Sequence, residues 1–590
     1  MWWIPSCGDR GLPGRQHRAI RKVVLGTELS SETGSQDEFC GRLEYNVTTA
    51  ICAASSRDPS GMDRQMTQRS KRHNRRYGIP RREFLQYVAA VSAIPTIAVR
   101  AVGRVNERPK FPGNPFALGV ASGDPEPDGV VIWTRLAPQP LDGGGMPHEA
   151  VRTRWEVATD ATFANPVRQG TALAMPQLGH SVHVEVDGLQ PQRRYFYRFH
   201  AGNETSPVGR TRTAPARDAL PDRLRFAFTS CQHYETGYFN GYPHMQQEDL
   251  DLVIHLGDYI YEYAGIDKRP RKHIGSEIVS LDDYRTRYAQ YRLDKTLQDT
   301  HRLFPWLVTW DDHEFDNNYA NLVSEEDGIS PEAFLARRMN AYQAYYEFMP
   351  LRRRSFPRGP HMKLYRGCQY GRLANFHVLD TRQYRTDQPN GDGQKPMTDK
   401  VLDPRATMLG NKQEHWLMSS LLQSPSTWNV LAQQVMMAPL NRGEGQDRRY
   451  SMDQWPGYEV SRRRLLRFFH ERKIANPVVL TGDIHLNWVN DLQLDFQDPK
   501  SPRVGTELVG TSMSSSGNGG NVIPEYERAA AQNDFVRWYN SNRGYVACDI
   551  TPQAWTTHFR ATPFVDKPGS PIVTKASFVI EQGQPGAKPA

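Results

Sequence analysis

Cysteine is scarce in this chain: six in 590 residues, of which Cys7, Cys40 and Cys52 fall within the first 52 positions. Discounting that early stretch leaves Cys231, Cys368 and Cys548, an odd set. An odd set argues against a disulfide framework and asks why at least one thiol stays unpaired. Long apolar runs are missing as well. The apolar segment Tyr87 to Ala98 falls short of the roughly 20 residues that a membrane-spanning helix needs. No transmembrane segment is read in the mature protein, and internal repeats and long low-complexity segments are absent.

A uniform basic surface is lacking too. The formal net charge is +8, yet Arg69, Lys71, Arg72, Arg75, Arg76, Arg81 and Arg82 crowd one short segment. Charge so localised reads as a targeting element, not a nucleic-acid groove, so no stable nucleic-acid partner is expected. The adjacent pair Arg81–Arg82, followed by Phe84–Leu85 and the short apolar run, resembles a twin-arginine (Tat) export signal. A buried amphipathic helix is the alternative. The resemblance implies the Tat machinery as a partner and a periplasmic or extracellular location. Residues 1–61 show no periodicity, and Met62 or Met66 would make an ordinary signal-peptide start. They are expected to be a non-native upstream extension, with 62–105 the signal region.

Beyond the signal the pattern changes twice. From about Phe111 to Pro215, short alternating runs such as "GVVIWTRL", "TRWEVATD" and "RYFYRFHAG" read as β-strands bounded by Gly, Pro and Asp. "GLQPQRRYFYRF" resembles the corner of a fibronectin-like sandwich, with Leu189 and Pro191 before Tyr195 and Tyr197. The basic, proline-containing segment "RTRTAPARDALPDR" reads as a linker. A larger domain is expected over 222–575. There "LRFAFTSC", "LDLVIHLGD", "LFPWLVTWDDHE", "ANFHVLDTRQ", "TWNVLAQQV" and "NPVVLTGDIH" are near-continuous apolar runs, the mark of strands buried on both faces. Helical stretches such as "SPEAFLARRMNAYQAYYEFM" and "YEVSRRRLLRFFHERK" lie between them.

Several of these strands stop on polar donors: Cys231; Asp258 with Tyr261; Asp311, Asp312 and His313; Asp483 with His485. Singly, each has an ordinary reading as a turn cap or core residue. Together they bring carboxylates, imidazole, a thiol and a phenol to one sheet edge, where unpaired charges would repel. Bound cations remove that cost, and two of them could share Asp258 as a bridge.

"GDYIYE", "WDDHEFDNN" and "TGDIHLNW" resemble the metallophosphoesterase superfamily. "FALGVASGDPEPDGVVIWTRL", "FTSCQHYETGYFNGY" and "VLDTRQYR" narrow the resemblance to PhoD-type alkaline phosphatases. It implies an α/β fold, a four-layer α-β-β-α sandwich preceded by a small fibronectin-like β-sandwich. It also implies an Fe³⁺ site with Ca²⁺ beside it. Cys231, Tyr261 and His485 would complete the iron shell around bridging Asp258, while Asp312, Asp483 and Asn318 would face calcium. Thiolate and phenolate suit a ferric ion and carboxylates suit Ca²⁺, although residue types alone admit iron or manganese. Asn317 is placed as well as Asn318. Cys231 stands where the superfamily has an aspartate, and Asp312 and Asp483 replace an asparagine and a histidine. Gln434 lies near the place of a fourth-motif histidine and is not taken as a ligand.

The implied activity is hydrolysis of small or polymeric phosphate mono- and diesters by a metal-activated hydroxide. His313 would protonate the leaving alkoxide or clamp the developing charge, with a metal-ligand role as the alternative. Arg382 would either pair with phosphate or form a structural ion pair. Two rival functions stand beside this one. One is a narrower diesterase acting on phospholipid, teichoic acid or nucleic acid; the other is a secreted metal-binding adhesion protein.

Overall fold

The computed structural model describes residues 105–590. The twin-arginine segment, the proposed starts at Met62 and Met66, and Cys7, Cys40 and Cys52 lie outside these residues. Two large sheets stack face to face. One is built around the parallel strands Leu224–Thr229, Leu252–His255 and Pro305–Val308. The other is built around Ala374–Val378, Trp428–Ala432, Pro477–Thr481 and Arg503–Val509, also parallel.

Side chains alternate across each strand, which explains the unbroken apolar runs. Leu252 and Ile254 face the second sheet, in a core shared with Phe376, Val430 and Leu480. Val253, between them, faces the opposite way and packs with Tyr288, Leu297 and Tyr345 from helices Leu281–Arg292, Lys295–Leu303 and Pro331–Phe348. The second sheet repeats the scheme. Leu431 and Val479 pack with Leu417 and Leu466 of helices Gly410–Gln423 and Glu459–Glu471. Each strand is therefore covered by helices on one face and by the partner sheet on the other. The result is an α-β-β-α arrangement. Cys368 and Cys548 are free thiols buried between the sheets, far in role from the strand ends.

Ahead of these layers stands a β-sandwich with its own core, including Val130, Ile132, Val151, Val157, Tyr197 and Phe199. The expected corner is present: the Gln190 backbone N–H donates to the Tyr195 hydroxyl at 2.8 Å, and Tyr195 is buried. The sandwich is not set apart by a free linker, however. Its strands Val120–Glu126, Gly129–Arg135 and Ser181–Val186 extend the first large sheet into one of ten strands. Ser122 pairs with Pro305 and Gly123 with Trp306. The close approach requires glycine at 123, since a Cβ there would lie 2.5 Å from the Pro350 carbonyl. The segment expected as a linker opens as the strand Gly209–Arg212, and at the other end the sheet continues to Pro589, past the expected 575. Among the described residues no helix is long and apolar enough to cross a membrane.

Helix Glu459–Glu471 ends in a motif normally closed by glycine. The Ile474 N–H donates to the Phe469 carbonyl and the Lys473 N–H to the His470 carbonyl, the paired bonds of a Schellman stop. Ile474 and Phe469 share the same core. Lys473 occupies the left-handed position, with φ of 50°. Lys473→Gly is expected to stabilise the fold by about 1 kcal/mol, because glycine adopts that conformation without the Cβ penalty. Equilibrium unfolding in denaturant checks this: the midpoint should rise, with ester hydrolysis unchanged.

Candidate metal centre

The functional side chains stand where strands of both sheets run out. After Leu224–Thr229 comes Cys231, after Leu252–His255 Asp258, after Pro305–Val308 Asp311 to His313, and after Pro477–Thr481 Asp483 and His485. The backbone turns sharply at these points. Cys231, Asp258, Asn318, Asp483 and His485 all have φ between 48° and 64°, a region that non-glycine residues enter at a cost of order 1 kcal/mol or more. Such strain persists only where surrounding bonds over-determine it. Here the Cys231 N–H donates to the Gly257 carbonyl at 3.0 Å and the Gln232 N–H to the Asp258 carbonyl at 3.0 Å. Glu314, fully buried, accepts from the backbone N–H groups of Asp258 (2.9 Å), Tyr259 and Asp311 (2.7 Å). It thereby locks two strand ends together. Gly257 cannot be anything else: a Cβ would sit 2.5 Å from the Asp311 nitrogen.

These turns aim the donors at one another. Ligand atoms of Cys231, Asp258 and His485 lie within 4.8 Å of each other, as do those of Asp258, Asp312 and His313, and those of Asp311, Asp312 and Asp483. Asp258 belongs to the first two groups and Asp312 to the last two, so the clusters form a continuous string. Tyr261 joins the first: its hydroxyl donates to Asp258 Oδ2 at 2.7 Å and lies 3.2 Å from His485 Nε2. Ser515 Oγ sits 2.8 Å from the Tyr261 hydroxyl and donates to the Cys231 carbonyl at 2.6 Å. His485 Nδ1 is hydrogen-bonded to Ser516 Oγ at 2.8 Å, which leaves Nε2 for the cluster. An orienting partner on the far nitrogen is the usual support of a metal-binding histidine.

Electrostatics favour a cation there. Burial pushes the Asp258 carboxyl, the Cys231 thiol and the Tyr261 phenol all well above their ordinary ranges; the charges of Asp312 and Glu314 add to the first shift, and that of Asp258 to the other two. Burial holds His485 down to about 3, so its imidazole is neutral. Asp258 Oδ1, Asp311 Oδ2 and Asp312 Oδ1 are buried without a hydrogen-bond partner. Orphaned oxygens of this kind are expensive in a folded interior. Hard carboxylate oxygens lie on one side and thiol, phenol and imidazole on the other, so the donor set fits two unlike cations.

Of the two readings offered for Arg382, phosphate pairing or a structural ion pair, the side chain stands in the second arrangement. It is 0% exposed. Its Nε donates to Asp311, Nη1 to Asp453 at 2.6 Å and Nη2 to Asp483 at 3.0 Å, with Asp312 3.4 Å from Nη2. Arg385 adds a 2.6 Å bond to Asp453. Three buried carboxylates and the half-buried Asp483 need a counter-charge, and the guanidinium fork supplies part of it. Its charge and that of His313 outweigh burial and hold Asp312 below the usual carboxylate range, while burial still pushes Asp483 up to about 6.

His313 belongs to the middle group of the string, with Asp258 and Asp312. Its Nδ1 meets Glu262 Oε2 at 2.8 Å. Burial opposes its protonation, but Glu262, Asp312 and Asp258 outweigh that and hold the imidazole well above its ordinary range. Asn318 and Asn317 part company. The Asn318 N–H donates to Asp312 Oδ2 at 2.7 Å and its side chain to Asp392 at 2.7 Å, whereas Asn317 donates to Glu325. Gln434 is spent on structure: it accepts from Thr381 and donates to Thr309, Trp310 and Leu379. Residues the sequence reading passed over are Glu262, Glu314, Asp453, Ser515 and Ser516. Only Glu262 and Glu314 sit inside quoted motifs; the others are brought in from distant loops.

The profile of the PhoD-like phosphatase family matches residues 226–559, and that of its N-terminal domain matches 103–215. Alkaline phosphatase D of Bacillus subtilis (strain 168) is 51% identical over 518 residues, 86% of this chain and 88% of that protein. A solved structure described as that of PhoD superposes with a TM-score of 0.80 at 52% identity, covering 82% of this chain and 93% of the other. Its strand-end donors, its layered sheets and these matches agree: the chain belongs to the PhoD-like phosphatase family.

Proposed function

We propose that this chain is an exported alkaline phosphatase and phosphodiesterase that releases phosphate from mono- and diesters at a mixed iron and calcium centre. The observation that carries the reading is Asp258, shared by two donor clusters, with one buried oxygen lacking any partner. Cys231, Asp258, Tyr261 and His485 would hold Fe³⁺; Asp258, Asp312, Asn318 and Asp483 would hold Ca²⁺. Bound there, the cations would supply positive charge to phosphate oxygens and acidify an attacking water.

The chain's own residues do the rest. Ser515, Ser516 and Glu314 keep the donors aimed before any ligand arrives, so little reorganisation is needed during the reaction. Glu262 engages His313 Nδ1, so the remaining N–H, at Nε2, is presented to substrate. As water attacks phosphorus and the ester P–O bond breaks, the departing oxygen takes the Nε2 proton. Export by the twin-arginine route is supported by the Arg81–Arg82 motif and suits a protein that must be folded around its ions before leaving the cytoplasm.

The test is hydrolysis of p-nitrophenyl phosphate against bis-p-nitrophenyl phosphate. Both should be cleaved. Cleavage of the diester alone would replace this reading with a narrower diesterase, and cleavage of neither would favour a binding protein.

A further inference from the structure

Three consecutive aromatic or acidic residues follow the Asp258 turn, and two of them point inward: Tyr261 to Asp258 and Glu262 to His313. The next, Tyr263, has no part in the scheme above. It is 38% exposed, yet its ring is held on several sides. It stands edge-on to the His313 imidazole with centroids 5.3 Å apart at 66°, and near-parallel to His233 at 6.4 Å. Its hydroxyl donates to Asn317 Oδ1 at 3.4 Å, and Asn317 in turn donates to Glu325. Its carbonyl is tied to His273 Nδ1 at 3.1 Å. A large ring fixed this firmly while keeping an open face loses the benefit of burial unless something covers it.

We propose that Tyr263 is the platform on which the alcohol part of the ester rests, giving the site a preference for aromatic or extended apolar alcohols over small ones. This rests on the hydrolase reading and on the place of His313 among the donors, with Asp258 and Asp312. An ester held at those donors lies against His313, so the carbon chain behind its leaving oxygen begins beside that imidazole. Tyr263 is the exposed ring in van der Waals range of that imidazole. Covering an aromatic face by a second ring changes affinity about threefold to tenfold. A short polar alcohol does not reach far enough to gain it.

Two alkyl esters of closely similar leaving-group acidity separate contact from chemistry: 2-phenylethyl phosphate and ethyl phosphate. In the metal-loaded wild type, kcat/KM should favour the phenylethyl ester. Tyr263→Ala should lower that preference about threefold to tenfold, mainly through KM, with both ions retained. Tyr263→Phe, which keeps the ring and loses the bond to Asn317, should preserve it. Equal losses on both esters, or an unchanged ratio in Tyr263→Ala, would overturn the proposal and leave the hydrolase reading intact. A wild type that cleaves neither ester would overturn both.

Discussion

His313→Ala is expected to slow hydrolysis of an alkyl phosphate by about 10²–10⁴-fold, the usual contribution of a positioned general acid. The imidazole is paired to Glu262 at 2.8 Å, and the charges of Glu262, Asp312 and Asp258 outweigh burial and raise its affinity for a proton. The loss should be smaller for p-nitrophenyl phosphate, because p-nitrophenolate departs without a proton and a simple alkoxide does not. Both ions should stay bound, since the remaining donors of each cluster are untouched. Steady-state rates on the two esters, with metal content measured on the same preparation, check this. Equal losses with both ions present would make His313 a clamp on the phosphate; loss of an ion would make it a ligand.

Removing calcium with EGTA is expected to bring turnover to background, and added Ca²⁺ should restore it. Asp312 and Asp483 offer hard oxygens to the cation, and without it the phosphate would face bare carboxylates. The fold should survive the treatment. Arg382, with Arg385 on Asp453, offsets part of the charge of Asp311, Asp312, Asp453 and Asp483 from within, so chelation should abolish activity and lower the unfolding temperature without unfolding the protein. Full recovery with Zn²⁺ alone would contradict the calcium assignment. Unfolding on chelation would contradict the role given to Arg382.

The layers of this fold are legible in the sequence because burial on both faces leaves a local trace: unbroken apolar strands such as Leu252–His255, each ending on a polar donor. The donors themselves are legible for the same reason, standing at the first positions beyond those strands. What long-range pairing decides is not. Arg382 sits in the motif "LDTRQYR", and its four partners come from positions 311, 312, 453 and 483; nothing local distinguishes that hub from a phosphate clamp. The fusion of the sandwich with the large sheet depends on Ser122 meeting Pro305, a pairing no periodicity announces. The left-handed turns at Cys231, Asp258, Asp483 and His485 are only faintly legible, since aspartate and histidine enter that region more often than most residues but far less often than glycine.

The central claim is a bridged pair of unlike ions, one held through a thiolate. Elemental analysis of purified wild type and Cys231→Ser tests it most directly, with the visible absorption spectrum recorded on each. The wild type should carry one iron per chain together with calcium, and a charge-transfer band. A serine hydroxyl is far less acidic than a thiol, so Cys231→Ser should lose the iron and the band. Full iron content and unchanged colour in that variant would contradict the account.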